Sequence, residues 1–352
     1  MAASTKLRFK LWSHWVTYAR TYGIKPYFSK PNEQVVTLLK GFAARVRRGA
    51  CGNGKRVRAP SVRLALSAIG QTIVLDGQAF TNPLHTPEGK LILPLHYLIQ
   101  AYTNQDPPSL PSLAVPVELV EAALNLHKKG TKRQQRTAQL MVVAYYFLLR
   151  VGEYTKPNKQ TRTVQFRLKD VIFWRNGFQI NPRIASLETL MSCESATLRI
   201  SNQKNGKKNQ TIFHEATGSP ACPIVTLAHI VKDVCSFSKD DDEMLCAFKQ
   251  GSVTSHVVNS DISQMIKHTA KVINLPQRGF PLSRLAPHSL RAGGATALAI
   301  AGWDTVIIKK YGRWSSCTFL TYIHEQIAAL GKNVSKSMAT KHRFHNIAGF
   351  ST

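Results

Sequence analysis

Acidic side chains are scarce in this chain. Of 352 residues only 19 are Asp or Glu, against 47 Lys or Arg, which leaves a formal charge of +28. The shortage bears on chemistry, because a metal-dependent nuclease needs carboxylates to hold its ions. The one acidic cluster, Lys239-Asp-Asp-Asp-Glu243, is a run of consecutive carboxylates that fits a solvated turn better than a metal cradle. Cysteine is sparse too. Its six copies are scattered with no C-x-x-C pair, which excludes a zinc ribbon or a disulfide framework and suits a reducing compartment. His342 and His345 have no Cys or carboxylate spaced to complete a metal site, so no metal is expected. The longest apolar run, Leu140 to Leu149, is about half of the ~20 residues that a bilayer span requires. No membrane partner is expected, and no secretory signal is visible at the N-terminus. Walker and dinucleotide motifs are missing as well, so no cofactor is expected.

What is present is positive charge on a foldable chain. Hydrophobic residues make up 43%, enough for a globular protein with two cores. Residues up to Pro116 hold 15 basic and 4 acidic side chains, and those beyond hold 32 and 15. Both parts are therefore basic, which points to a polyanion partner and not to a neutral enzyme with a basic tail. The competing reading is a non-specific basic protein.

The apolar period is helical over most of the chain, with short stretches of period two. The fold class expected is mainly α with small antiparallel β-hairpins (α+β). Residues 6–23, a stretch opening at Pro31 and closing at Gly49, 61–75 and 93–102 read as four helices of an N-terminal domain over 1–104. Arg45, Arg47 and Arg48 end the second of these helices, and Lys55, Arg56 and Arg58 follow in a Gly-broken loop suited to a phosphate backbone. Four prolines within 105–116 read as a linker, and 117–352 as the second domain. In it Lys132–Arg150 is the most convincing helix, followed by hairpins turning at Asn176-Gly177 and Asn205-Gly206. Pro220–Phe237 and Ser255–Ile273 read as framework helices.

One stretch carries chemistry. Pro287-His-Ser-Leu-Arg-Ala-Gly-Gly-Ala-Thr296 places His288 and Arg291 on one helical face, with small residues that let the helix pack closely on a neighbour. Gly312-Arg-Trp314 follows, then Tyr322. Arg suits forked contacts to phosphate, His can move a proton near neutral pH, and a tyrosine hydroxyl aimed at a phosphodiester can act as nucleophile.

This order of pieces resembles the second box of the tyrosine recombinases, the phage-integrase family, and most of all members carried by eukaryotic mobile elements of the Crypton and DIRS-like kinds. Leu148-Leu-Arg-Val-Gly-Glu-Tyr154 resembles the first box, in which an Arg ends a helix and an acidic residue follows. The resemblance implies a helical core-binding domain ahead of a catalytic domain. It also implies DNA strand cleavage and rejoining through a 3′-phosphotyrosyl link, without metal or ATP. Tyr322 would be the nucleophile, Arg150 and Arg291 the phosphate clamp, and His288 the group handling the tyrosine proton, with Glu153 in support. A lysine on a β-hairpin would protonate the leaving oxygen; Lys204 matches best, Lys207 is the rival, and Lys208 stands beside them on DNA. The chain departs from the family nine residues before the nucleophile, where a His or Trp belongs and Arg313 stands, with Trp314 next to it. Trp314, the right chemical type, is favoured to pack at the site and donate its indole N–H, with Arg313 in support, and the assignment stays open. The family further implies a tetramer on two duplexes, with Glu325–Asn346 docking on a neighbour. In a eukaryote it would work in the nucleus, otherwise on cytoplasmic DNA. A type IB topoisomerase-like enzyme and a captured, non-catalytic DNA-binding protein are the other readings.

Overall fold

The computed structural model describes residues 3–108, 112–157, 163–202, 208–314 and Leu320. The chain divides into two compact units, Met1–Ser109 and Leu110–Thr352.

The first unit is built from α1 (Ala3–Thr21), α2 (Glu33–Arg47), α3 (Ala59–Leu75) and α4 (Leu93–Gln105). Trp15 is its anchor: fully buried, edge-on to Phe42 at 5.5 Å, with its indole N–H donating to the Pro26 carbonyl at 2.9 Å. A large ring is tolerated in the core because its one polar atom is satisfied there. Helix α2 opens at Asn32 and not at Pro31, since the Asn32 side chain accepts from the Val35 N–H at 2.9 Å and caps the first turn.

The second unit is organised around α6 (Lys132–Tyr146), which packs against α5 (Val117–His127), α9 (Pro223–Phe237), α10 (Asn259–Val272) and α11 (His288–Ile300). Thr131 and Gln134 form a capping box at its start. The helix is shorter than its apolar run. It stops at Tyr146, and Leu148 takes a left-handed conformation, φ 47°. Arg150 therefore does not end this helix; it caps the next one, α7 (Val151–Tyr154).

A four-stranded antiparallel sheet follows, in the order β2-β1-β3-β4, from β1 (Val171–Arg175), β2 (Phe178–Ile180), β3 (Ser195–Asn202) and β4 (Lys208–Glu215), with α8 (Leu187–Met191) between β2 and β3. Asn176 and Gly177 both have positive φ, as the tight β1–β2 turn demands. A second hairpin, β5 (Ala247–Gln250) with β6 (Val253–His256), was not legible in the sequence. Ser255 belongs to that hairpin, so α10 begins at Asn259, later than its periodicity indicates. Helix α12 (Thr305–Gly312) closes the described part of the unit.

The proline-rich stretch is only partly a linker. Leu113, Ala114 and Val115 are buried, and the backbone N–H groups of Leu113 and Val115 donate to the carbonyls of Arg284 and Ser289 at 2.9 and 3.3 Å. Prolines remove donors without preventing such extended pairing by their neighbours. The acidic run is likewise structural: Asp241 meets Arg183 at 2.7 Å, and Asp242 meets Lys169 at 2.5 Å and Arg167 at 3.2 Å.

Candidate active site

The end of α6 and the start of α11 are far apart in sequence, and small residues bring them together. A methyl group on Gly294 would run into the Tyr145 carbonyl, and one on Gly293 into the Val115 carbonyl. With only hydrogen there, α11 lies directly on the backbone of α6, and the Arg291 guanidinium reaches the carbonyl of Leu148 at 2.6 Å. Its other amino group donates to the carbonyl of Gly312. The Trp314 ring lies over the guanidinium at 4.5 Å, in the space that the missing side chain of Gly312 leaves open.

Glu153 is the electrostatic centre. Its carboxylate is completely buried and accepts two bonds from Arg313, both at 3.1 Å, forming a forked pair. It also accepts from the Arg150 side chain at 3.2 Å and the Arg150 backbone N–H at 2.8 Å. Burial works against its ionisation, but the Arg313 charge and then the bonds from Arg313 and Arg150 hold it below the usual carboxylate range. Burial lowers the Arg313 guanidinium as well, with Glu153 opposing; a guanidinium stays charged regardless.

Two groups face outward. The Arg150 side chain is 27% exposed, against 4% for that of Arg313, and Arg291 is buried. His288, at the first turn of α11, is reachable from solvent. Partial burial first, then the nearby charges of Arg291 and Arg150, lower its imidazole below the ordinary value. At neutral pH it is therefore uncharged and able to accept a proton.

Arg150, Glu153, His288, Arg291, Arg313 and Trp314 thus come together. Lys204, Lys207 and Tyr322 lie outside the described residues, and of Lys208 only the backbone is described, paired with Asn202 in the β3–β4 ladder. The spacing favoured Trp314 by its chemical type for one position and left Arg313, at the family's own spacing, open beside it. The geometry separates them: Arg313 turns inward to Glu153, while Trp314 covers Arg291. Two participants were invisible in the sequence, the carbonyls of Leu148 and Gly312. A left-handed Leu has no sequence signature; Gly312 ahead of two bulky residues was the available hint.

In the first unit one expected phosphate contact is overturned. Arg47 is buried, donating to the Val57 carbonyl at 2.8 Å, pairing with Asp106 at 2.5 Å and stacking on Tyr102 at 5.0 Å. The other members of that group, Arg45, Arg48, Lys55, Arg56 and Arg58, are exposed. A cleft of about 820 Å³ between α5, α6 and α9 holds none of the site residues and is lined by Glu118 and Glu121 among others.

No family model matches the sequence, and no curated protein matches it. Solved structures do. The Tn1549 transposon integrase bound to transposon right end DNA aligns with a TM-score of 0.50 at 12% identity, over 94% of this chain and 99% of that one. The XerH site-specific recombinase in its post-cleavage complex with a palindromic difH substrate aligns with a TM-score of 0.50 at 16% identity, over 86% and 72%. The fold is that of the tyrosine recombinases. The mainly helical architecture with small antiparallel sheets, expected from the periodicity, is what these structures share with it. No described helix is long and apolar enough to cross a membrane.

Proposed function

We propose that this protein cleaves and rejoins DNA strands through a covalent phosphotyrosyl intermediate, as a recombinase or integrase of an element-borne kind. One observation carries the reading: segments 143 residues apart, around Leu148 and Arg291, converge so that Arg150, His288 and Arg291 share one site. Two guanidiniums beside a neutral imidazole are what an attacking tyrosine needs. The charges offset the extra negative charge on the phosphate's non-bridging oxygens, and the imidazole takes the hydroxyl proton. Arg150 is the accessible arm of the clamp. Arg291 is the buried arm, and the Trp314 ring packs on it at the site.

By the resemblance to the family, Tyr322, at the family's spacing from Gly312-Arg-Trp314, is the nucleophile, and Lys204, immediately before Asn205-Gly206, is the acid for the leaving 5′-oxygen. The phosphotyrosyl bond retains the energy of the phosphodiester, so a second strand can reverse the step without ATP. Duplex DNA is the partner, held by exposed arginines and lysines of the first unit. Assembly as a tetramer on two duplexes belongs to the same reading, as does a nuclear location in a eukaryotic host.

The test is covalent trapping. The full chain is incubated with a library of nicked duplexes of randomised sequence, in EDTA, and the DNA attached to protein is recovered and sequenced. An adduct mapping to Tyr322 on an enriched sequence is expected. Loss of all cleavage in EDTA, restored by Mg²⁺, would replace this chemistry with that of a metal nuclease. Relaxation of supercoiled plasmid without any joining of two duplexes would favour a topoisomerase-like enzyme.

A further inference from the structure

Arg313 stands in a conformation that favours glycine. It ends α12 with φ 56°, and the other end of its network, Leu148, has φ 47°. Both are ordinary side chains in the left-handed region, which costs energy unless the surroundings hold them. One hydrogen bond joins the two, from Arg313 Nη2 to the Leu148 carbonyl at 2.9 Å. That same oxygen accepts from Arg291 at 2.6 Å, while Nη1 and Nη2 of Arg313 form the fork on the two oxygens of Glu153, and Arg150 Nη1 bonds the same Oε1.

We infer that Arg313 is a positioning residue that fixes both arms of the phosphate clamp from inside the protein: Arg150 through Glu153, and Arg291 through the Leu148 carbonyl. This deepens the reading proposed above and rests on it. The argument is geometric. A single planar fork bridges the two segments that carry the clamp: two separate nitrogens meet the two Glu153 oxygens while one of them also reaches the carbonyl, a geometry that neither the point charge of lysine nor an imidazole reproduces. The side chain is too buried to meet DNA, so its effect must pass through its two partners. In a site where displacement by about 1 Å costs roughly 10²-fold in rate, such a brace governs cleavage without touching the substrate.

The experiment uses the full chain and the duplex recovered by covalent trapping. Single-turnover cleavage is compared on the natural phosphodiester and on a methylphosphonate at the scissile position, which lacks the charge that the clamp neutralises. Arg313→Met should slow cleavage of the phosphodiester by about 10²-fold while leaving DNA affinity within a few-fold. On the methylphosphonate the loss should shrink, as it should for Arg150→Ala. In the Arg150→Ala background Arg313→Met should cost far less than it does alone, because the two act as one unit. Arg313→Lys, which keeps the charge but not the fork, should be slow as well. Should Arg313→Met fail to fold, the apolar double variant Arg313→Met/Glu153→Met removes both buried charges together and should show the same dependence on substrate.

Equal losses on the two substrates, or full additivity with Arg150→Ala, would reduce Arg313 to a purely structural residue. Wild-type cleavage by Arg313→Met, with Arg150→Ala strongly slowed and Tyr322→Phe inactive, would overturn this inference alone. An adduct that survives Tyr322→Phe would remove the proposed function and this inference with it.

Discussion

Gly294 lies so close to the carbonyl of Tyr145 that no side chain fits between α11 and α6. That contact sets the distance at which Arg291 meets the Leu148 carbonyl, and so ties the packing of the second unit to the site. The obstacle is backbone, which cannot move aside as a flexible side chain would. Gly294→Ala should destabilise the second unit by about 3 kcal/mol, the upper end for overpacking, and Gly293→Ala by a similar amount. Thermal unfolding measures both. Melting temperatures unchanged in the two variants would mean that the helices can separate freely and that the site is not fixed by this contact.

Tyr154 and Tyr311, the rivals of Tyr322 for the nucleophile, are both held by packing. Tyr154 is buried at 2% exposure, with its hydroxyl lacking a hydrogen-bond partner among the described residues. Tyr311 packs against the core, its ring 5.5 Å from that of His214. Tyr322→Phe should abolish the protein–DNA adduct while Tyr154→Phe and Tyr311→Phe retain it. A tyrosyl peptide mapped to either of the latter would move the chemistry elsewhere.

His288 sets the expected pH dependence. Its imidazole titrates below its ordinary value, so the proton-accepting form persists into mild acid and is lost only as the pH falls through the lowered value. The acid limb of single-turnover cleavage should therefore lie below pH ~6.5, the ordinary imidazole value, and His288→Asn should lower the plateau by about 10²–10⁴-fold. An acid limb at or above that pH would show that another group accepts the proton.

His214 offers a pH effect on stability instead. Packed edge-on to Phe147 at 4.6 Å, it is pushed by burial down to about 4. Between pH 4 and 6.5 the unfolded chain binds a proton at this position that the folded chain refuses, so stability falls as pH is lowered through that window. The difference amounts to roughly 3 kcal/mol. In His214→Phe the stability of the second unit should fall less steeply between pH 6.5 and 4; identical slopes would show that His214 is protonated in the folded protein.

Arginines of the first unit should separate by role. Neutralising about 6–10 phosphates predicts that DNA affinity drops about 10³–10⁵-fold between ~50 and 200 mM salt. Arg56→Ala and Arg58→Ala should each reduce the salt slope by about one. Arg47→Ala should leave the slope alone and lower the melting temperature, because it uncouples the buried Arg47–Asp106 pair. The reverse pattern would place Arg47 on DNA.

The sequence by itself determined the helical class and the hairpin at Asn176-Gly177, and it singled out Arg150, Glu153, His288 and Arg291. The first two follow from local rules, the 3.6-residue period and the positive φ that a two-residue turn requires; the four side chains stood out by the resemblance of their motifs to a known family. It also carried the small residues of α11, although not the carbonyls they approach. Tertiary structure alone decided the rest. Spacing could not choose between Arg313 and Trp314, because the choice depends on a buried carboxylate 160 residues away. Composition marked Arg47 as a phosphate contact, and only the fold brings Asp106 and the Val57 carbonyl onto it. The apolar run past Tyr146 reads as continuous helix; at the break, Arg291 and Arg313 both bond to the Leu148 carbonyl, and no local preference of leucine encodes that.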